Sequence, residues 1–388
     1  MKVFVIAGEA SGDRLGAALM AGLSTLTDPR FEGVGGPLMQ AQGLRSLFPM
    51  EELSVMGLVE ILPKYFHLKR RISETAKAVI AARPDVLIGI DSPDFCLRVA
   101  RLVKADSDTR VVHYVAPSVW AWRPKRAQRM VGVVDQVLAL LPFEPPYMQA
   151  VGIDCDFVGH PVAEDPRATA VEIAAFRAET GLGDAPVLLV LPGSRAAEVA
   201  RMGPIFGEVV TRVLAARPDL RVVVPTTQAR AAQISDLVAH WPGAPVIVRP
   251  DAANSAADAS RKRAAFAAGL GALAASGTVS LELAAAQTPM VIGYDTNRIT
   301  REIMRRMLKI DTLTLVNLVT DSRTIPEFLG QACRPELIAP AVLDMLEHPG
   351  AQRDAMRLTM DRLGRGGAPP GLRAARAVLD RMPDGPGA

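Results

Sequence analysis

The sequence predicts an α/β protein built from two doubly wound domains, and three observations carry that prediction. Short apolar runs alternate with stretches of helical apolar spacing; several of the runs are apolar throughout, as in parallel strands covered on both faces; and 388 residues are more than one hydrophobic core comfortably serves. Lys2–Ala7 is the first strand, and apolar spacing over 15–26 predicts a helix after the glycine turn that follows it. Val86–Ile90 is the next clear strand, with a helix over 95–104 and further strands over 110–115 and 135–141. Strand, helix and strand in that alternation imply right-handed crossovers and a parallel sheet.

Around Gly159-His160-Pro161 the chain turns polar and proline-bearing, which reads as a linker. A second series then begins, with strands at Val187–Leu191, 221–224, Val246–Val248, Gly271–Ala275 and 290–293. The halves share a pattern without a close repeat, which predicts two Rossmann-like domains, 1–165 and 166–350, facing a cleft where ligands commonly bind. Residues 335–382 read as helices interrupted by Gly364-Arg365-Gly366-Gly367, and 351–388 is assigned as a helical tail that returns to the first domain or reaches a partner subunit.

Composition narrows the function. With 49% hydrophobic and 22% charged residues the chain is neither disordered nor collagenous nor a coiled coil. Its 44 basic and 41 acidic side chains leave a net charge of +3, too small for a general nucleic-acid binder. Cys96, Cys155 and Cys333 have no CxxC spacing and the histidines no HxxxH or HExxH spacing, so neither a disulfide framework, a metal nor a cofactor is expected. A reducing cytoplasm fits, and the charged turn straight after Ala7 argues against a secretory leader. Residues 264–281 carry no charge behind Arg261-Lys262-Arg263, but their glycines and small polar residues suit a strand, turn and helix start better than a membrane span.

Several turns fall where strands end and helices begin, the ligand edge of an open α/β sheet. Gly8-Glu9-Ala10-Ser11-Gly12-Asp13 is not GxGxxG, and the acidic Glu9 suits sugar hydroxyls better than a pyrophosphate; a plain turn capped by Ser11 or Asp13 explains the same residues. In Gly89-Ile90-Asp91-Ser92-Pro93-Asp94-Phe95, Asp91 is placed to accept a proton from a hydroxyl, or to cap the next helix; the cap is favoured for Asp94. The segment 113–122 carries Trp120 and Trp122, which either stack on a ligand or fill volume. Leu191-Pro192-Gly193-Ser194-Arg195 and Ser276-Gly277-Thr278 each close a strand and open a helix, an arrangement suited to a diphosphate held without a metal or to ordinary caps with a solvated arginine. Glu282 can accept from two ribose hydroxyls, or serve the helix dipole. Residues 58–72 mix bulky apolar side chains with His67, Lys69, Arg70 and Arg71, as a membrane-surface segment or a helix packed on its sheet would.

Taken in order, these motifs resemble the lipid-A-disaccharide synthase family. The likeness rests on Glu9-Ala10-Ser11-Gly12-Asp13, Met50-Glu51-Glu52-Leu53-Ser54-Val55-Met56-Gly57, the segments 89–95 and 113–122, Leu191-Pro192-Gly193-Ser194-Arg195 and Ala275-Ser276-Gly277-Thr278, and spans residues 1 to about 350. It implies the GT-B architecture and an inverting transfer of 2,3-diacylglucosamine from UDP to the 6-hydroxyl of 2,3-diacylglucosamine 1-phosphate, giving a β-1,6 disaccharide and UDP. It further implies Asp91 as the base, with Glu9 and Ser11 on a sugar, Ser194, Arg195, Gly277 and Thr278 on the diphosphate, Glu282 on the ribose and Asn317 near the donor. His160 is a second candidate for the base. A peripheral place on the inner face of the inner membrane and a homodimer are also implied. The reading from another class is a UDP-sugar 2-epimerase of the same architecture. The Ala-rich stretch 252–268 receives no function.

Overall fold

The computed structural model describes residues 1–53, 58–120, 125–250, 255–297, 301–302 and 310–382. The chain divides into two compact units, Met1–Glu164 with Leu363–Ala388, and Asp165–Arg362. The first unit runs β1 (Lys2–Ala7), α1 (Ala10–Leu26), β2 (Arg30–Val34), α2 (Pro37–Ala41), β3 (Arg45–Ser46) and α3 (Leu58–Ala82). It continues through β4 (Val86–Ile90), α4 (Pro93–Asp106), β5 (Arg110–Tyr114), α5 (Lys125–Gln128), β6 (Gln136–Ala139), α6 (Pro145–Gln149) and β7 (Asp154–Phe157). Its seven strands are parallel and ordered β3-β2-β1-β4-β5-β6-β7, so the winding reverses between β1 and β4.

Alternation along β1 shows why the sheet is apolar on both faces. Phe4 and Ile6 join a core with Val79, Phe95 and Val99 from α3 and α4, whereas Val3, Val5 and Ala7 join one with Leu19 and Leu23 of α1. Helix α1 begins at Ala10, five residues before the apolar spacing predicts, with Glu9 rather than Ser11 or Asp13 at its N-cap. Asp13 serves another helix: its buried carboxylate accepts from the backbone N–H of Gly36 at 2.9 Å, Leu38 at 3.0 Å and Met39 at 3.0 Å, closing the start of α2.

The second unit runs α7 (Ala170–Glu179), β8 (Val187–Leu191), α8 (Ala196–Ala216), β9 (Arg221–Pro225), α9 (Ala231–Val238), β10 (Val246–Val248) and α10 (Ser255–Ala268). Then come β11 (Gly271–Ala275), α11 (Val279–Ala286), β12 (Met290–Tyr294), α12 (Leu315–Thr320), β13 (Glu327–Leu329), α13 (Pro335–Glu347) and α14 (Gly350–Arg362). Six parallel strands in the order β10-β9-β8-β11-β12-β13 reverse their winding between β8 and β11. The uncharged stretch 264–281 resolves into the end of α10, all of β11 and the start of α11. Arg261, Lys262 and Arg263 before it pair with Glu179, Glu282 and Glu172. No helix among the described residues is long and apolar enough to cross a membrane.

Beyond α14 the glycine-rich turn lets the chain rejoin the first unit as α15 (Pro370–Leu379). There α15 packs on α1. Gly22 sits so close that a Cβ on it would lie 2.6 Å from the Gly371 carbonyl oxygen. Arg381 fixes the end of the segment to β7 through Asp154 at 2.7 Å and Asp156 at 2.8 Å.

Candidate active site

In the first sheet Ala7 is paired with Ile90, so Gly8-Glu9 and Asp91-Ser92 leave neighbouring strands at one level, where the winding reverses. Ligands bind at such crevices outside the carboxyl ends of the strands. The two turns touch: a Cβ on Gly8 would lie 2.6 Å from Ser92 Oγ, which accounts for glycine there. Glu9 is half-buried at the N-cap of α1, and Ser11 is exposed one turn in.

Asp91 and Ser92 both adopt left-handed backbone, with φ of +49° and +40°, conformations that non-glycine residues rarely take and that concentrate at functional sites. The Asp91 N–H donates to the Tyr114 carbonyl at 2.9 Å, which fixes the turn against β5. Its half-buried carboxyl is pushed above the usual aspartate range by burial, the direction that strengthens a general base. The cap expected at Asp94 falls instead on Ser92: Pro93 takes the first helical position, and Asp94 lies exposed in the first turn. Of the nearby histidines, His113 is buried in β5 and lowered to about 4 by desolvation. His160 Nδ1 accepts from the Val162 N–H at 3.2 Å.

Trp120 is buried, its ring meeting Phe143 edge-on at a centroid distance of 5.2 Å, so it packs rather than offering a stacking face. Trp122 lies outside the described residues. Trp120 Nε1 donates to Glu144 at 3.3 Å, and the Leu141 N–H donates to the other oxygen at 2.9 Å. Burial pushes the Glu144 carboxyl up to about 7. A folded-state value above the unfolded one means that the protonated acid favours folding below the unfolded value, and that this advantage is lost as pH rises through about 7. Between pH 5 and 8 the first unit is expected to lose on the order of 3 kcal/mol through this group. Thermal melts across that range should therefore show a shallower pH dependence in Glu144→Gln, whatever its absolute stability. Parallel curves would remove Glu144 as the source.

The second sheet repeats the arrangement. Ala274 is paired with Leu191, which places Pro192-Gly193-Ser194-Arg195 beside Ser276-Gly277-Thr278 where that winding reverses. Ser194, Arg195, Gly277 and Thr278 are all exposed. Glu198 occupies the first turn of α8: its Oε2 accepts from the Ser194 and Arg195 N–H groups, both at 3.1 Å, and its Oε1 meets the Arg195 guanidinium at 2.9 Å. Two backbone amides and a guanidinium thus converge on one carboxylate, which closes the start of α8 as a capping box does. Glu282 lies partly exposed in the first turn of α11, and its carboxylate meets Lys262 at 2.6 Å. That contact gives the Ala-rich stretch a task, the placing of Glu282, although 252–254 fall outside the described residues.

Asn317 lies on α12, which packs against α11. It is buried, with its amide nitrogen donating to Thr312 Oγ1 at 3.3 Å and the Ile325 carbonyl at 2.9 Å, and its oxygen accepting from the Ile325 N–H at 2.9 Å. These bonds bracket the loop before β13. Both amide hydrogens of Asn317 are thus engaged within its own unit, and its expected place near the donor is carried into the proposal below.

The family model for lipid-A-disaccharide synthetase matches residues 3–365. The chain belongs to the lipid-A-disaccharide synthase family. A lipid-A-disaccharide synthase of Ruegeria pomeroyi is 65% identical over 384 residues, covering 99% of this chain and 96% of that protein. One from Rhodospirillum centenum is 46% identical over 385 residues, covering 97% and 94%. As a member of the lipid-A-disaccharide synthase family the chain is a glycosyltransferase that uses a UDP-sugar and lipid-linked substrates. Among solved structures, a UDP-GlcNAc 2-epimerase from Neisseria meningitidis bound to UDP-GlcNAc superposes with a TM-score of 0.67 at 13% identity, covering 98% of this chain and 99% of that one. A glycosyltransferase from Rickettsia africae gives 0.57 at 11%, with the same coverage. Such distant likeness shows the GT-B fold alone, and it does not favour an epimerase over the lipid-A-disaccharide synthase reading.

Proposed function

We propose that the chain condenses UDP-2,3-diacylglucosamine with 2,3-diacylglucosamine 1-phosphate to give the β-1,6-linked disaccharide 1-phosphate and UDP. The observation that carries this reading is the placing of the motif pairs where each sheet reverses its winding, a half-buried carboxylate on strained backbone in one and an anion seat in the other. Asp91 takes the proton of the acceptor 6-hydroxyl as that oxygen bonds to the anomeric carbon from the face opposite UDP. The bond from that carbon to the diphosphate oxygen breaks, and its electron pair leaves with UDP. Glu9 and Ser11 hold sugar hydroxyls beside Asp91.

On the donor side the diphosphate replaces the Glu198 carboxylate at the Ser194 and Arg195 amides, and Arg195 turns from Glu198 to the phosphates, stabilising the charge that develops on the leaving group. Gly277 and Thr278 present the neighbouring helix start to the same anion. Glu282, held in place by Lys262, accepts from the ribose hydroxyls. Asn317 acts at one remove by setting the loop before β13.

Purified protein incubated with both substrates should yield the disaccharide by mass. A free sugar epimer from UDP-N-acetylglucosamine, with no acylated acceptor present, would support the epimerase instead.

The acylated substrates place the protein at the cytoplasmic face of the inner membrane. Phe66 on α3 is 81% exposed, with Lys69 and Arg70 exposed beside it, which supports an anionic lipid surface as the docking partner. Arg71 does not belong to that patch: it is tied to Glu52 at 2.7 Å and Glu74 at 2.8 Å and lies over the Phe48 ring. Phe66→Asp should reduce sedimentation with phosphatidylglycerol vesicles several-fold, and Arg71→Gln should act on stability rather than on binding. Equal vesicle binding by Phe66→Asp and the unaltered protein would remove the patch.

A further inference from the structure

We infer that four arginines beside the proposed base form a seat for a phosphate monoester, and that its occupant is the anomeric phosphate of the acceptor; this deepens the transferase reading and rests on it. The cavity is about 190 Å³, room for roughly six water molecules, and lies between the start of α4 and the segment that follows β5. Arg98, Arg101, Arg126 and Arg129 line it, with Asp94 and Pro117. Its floor comes from residues immediately after Asp91-Ser92 on one strand and after Tyr114-Val115 on the next, so it opens on the same sheet edge as Asp91.

Arg71, Arg195, Arg201, Arg217, Arg301 and Arg381 are each matched to a carboxylate. Among the described residues Arg98, Arg126 and Arg129 have no carboxylate partner, and Arg101 donates to the Arg129 backbone carbonyl at 3.1 Å, which holds it against α5. Four guanidinium groups against the one carboxylate of Asp94 leave the cavity strongly positive. Arg98, Arg101 and Arg129 are exposed and Arg126 half-buried, so water solvates them until an anion enters, and planar guanidinium groups match phosphate oxygens two at a time. Arg98 and Arg101, three apart on α4, lie on one face of that helix, while Arg126 on α5 and Arg129 just beyond its end come from the segment after β5.

A phosphate monoester is shared by two ligands, the acceptor and a bilayer headgroup. The acceptor is favoured because the cavity is concave and its lining begins two residues from Asp91. In the acceptor C1, which bears the phosphate, and C5, which bears the C6 hydroxymethyl, are both bonded to the ring oxygen, so the two groups flank one side of a single sugar ring. A hydroxyl at Asp91 therefore leaves the phosphate about one ring away, and the cavity adjoins.

The test compares the acceptor with and without its 1-phosphate, using Arg98→Ala and Arg126→Ala, with Arg98→Lys as the conservative variant and melting curves as the control for folding. With the phosphorylated acceptor each alanine variant should raise the acceptor KM roughly tenfold while kcat and the donor KM stay near those of the unaltered protein; Arg98→Lys should recover part of the loss. With the dephosphorylated acceptor the variants and the unaltered protein should behave alike. Equal losses on both acceptors, unchanged KM values, or a loss confined to sedimentation with phosphatidylglycerol vesicles would each overturn the inference, the last assigning the arginines to the membrane. If the unaltered protein makes no disaccharide, the transferase reading itself fails; titration with soluble glucosamine 1-phosphate then still reports whether the seat binds that anion.

Discussion

Asp91→Asn should lower disaccharide formation by about 10³-fold, within the range by which a positioned base accelerates proton transfer. Asparagine is the sharper substitution because it tolerates left-handed backbone, and φ at this position is +49°. Asp91→Ala should abolish turnover as well, but it adds backbone strain and removes volume, so its loss mixes causes. Burial raises the Asp91 pKa, so the carboxylate should protonate, and kcat/KM fall, at a higher pH than for an exposed aspartate. Turnover by Asp91→Asn at the rate of the unaltered protein would sink the assignment. Rescue of rate at high pH would instead point to a hydroxyl ionised without help, leaving the base role intact.

Arg195→Ala should weaken UDP roughly 10–100-fold, the cost of one charged, two-point contact to a diphosphate. The arrangement around Arg195 makes the prediction specific. Arg195 already holds a carboxylate through its guanidinium while its backbone N–H holds the same group, so the geometry needed for an anion exists before UDP arrives. Loss of the side chain leaves the two backbone amides in place, and residual binding should persist. The guanidinium also faces the charge that appears as the glycosidic bond breaks, so kcat should fall along with affinity. A variant with unchanged affinity for UDP would move the anion seat elsewhere.

Legibility in the sequence tracked burial. Lys2–Ala7, Val86–Ile90, Val187–Leu191 and Gly271–Ala275 are covered on both faces, and each appears as an unbroken apolar run with the ends that the structure shows. Arg30–Val34, Arg45–Ser46, Asp154–Phe157 and Glu327–Leu329 left no such trace, because they are short, polar and mostly at or near a sheet edge. The motif turns were legible because they interrupt those runs. What they do locally was less so: Asp13 spends its carboxylate on backbone at Gly36, Leu38 and Met39, far along the chain, and Asn317 ties down the loop up to Ile325, which spacing cannot reveal. Glu198 had a signal in its place three residues into α8, that of a helix cap, though nothing in the sequence says that it holds an anion seat. The paired arginines near Asp91 were also visible, but only the sheet order brings their two helices to one cavity.

The central claim divides the labour between two sheet reversals: proton transfer at Asp91 in the first unit, diphosphate binding at Arg195 in the second. Calorimetric titration of UDP into Asp91→Asn and Arg195→Ala, each alongside the unaltered protein, tests it most directly. The account predicts an unchanged Kd for Asp91→Asn despite its lost turnover, and a Kd raised by at least tenfold for Arg195→Ala. Loss of UDP binding in Asp91→Asn, or its retention in Arg195→Ala, would contradict it.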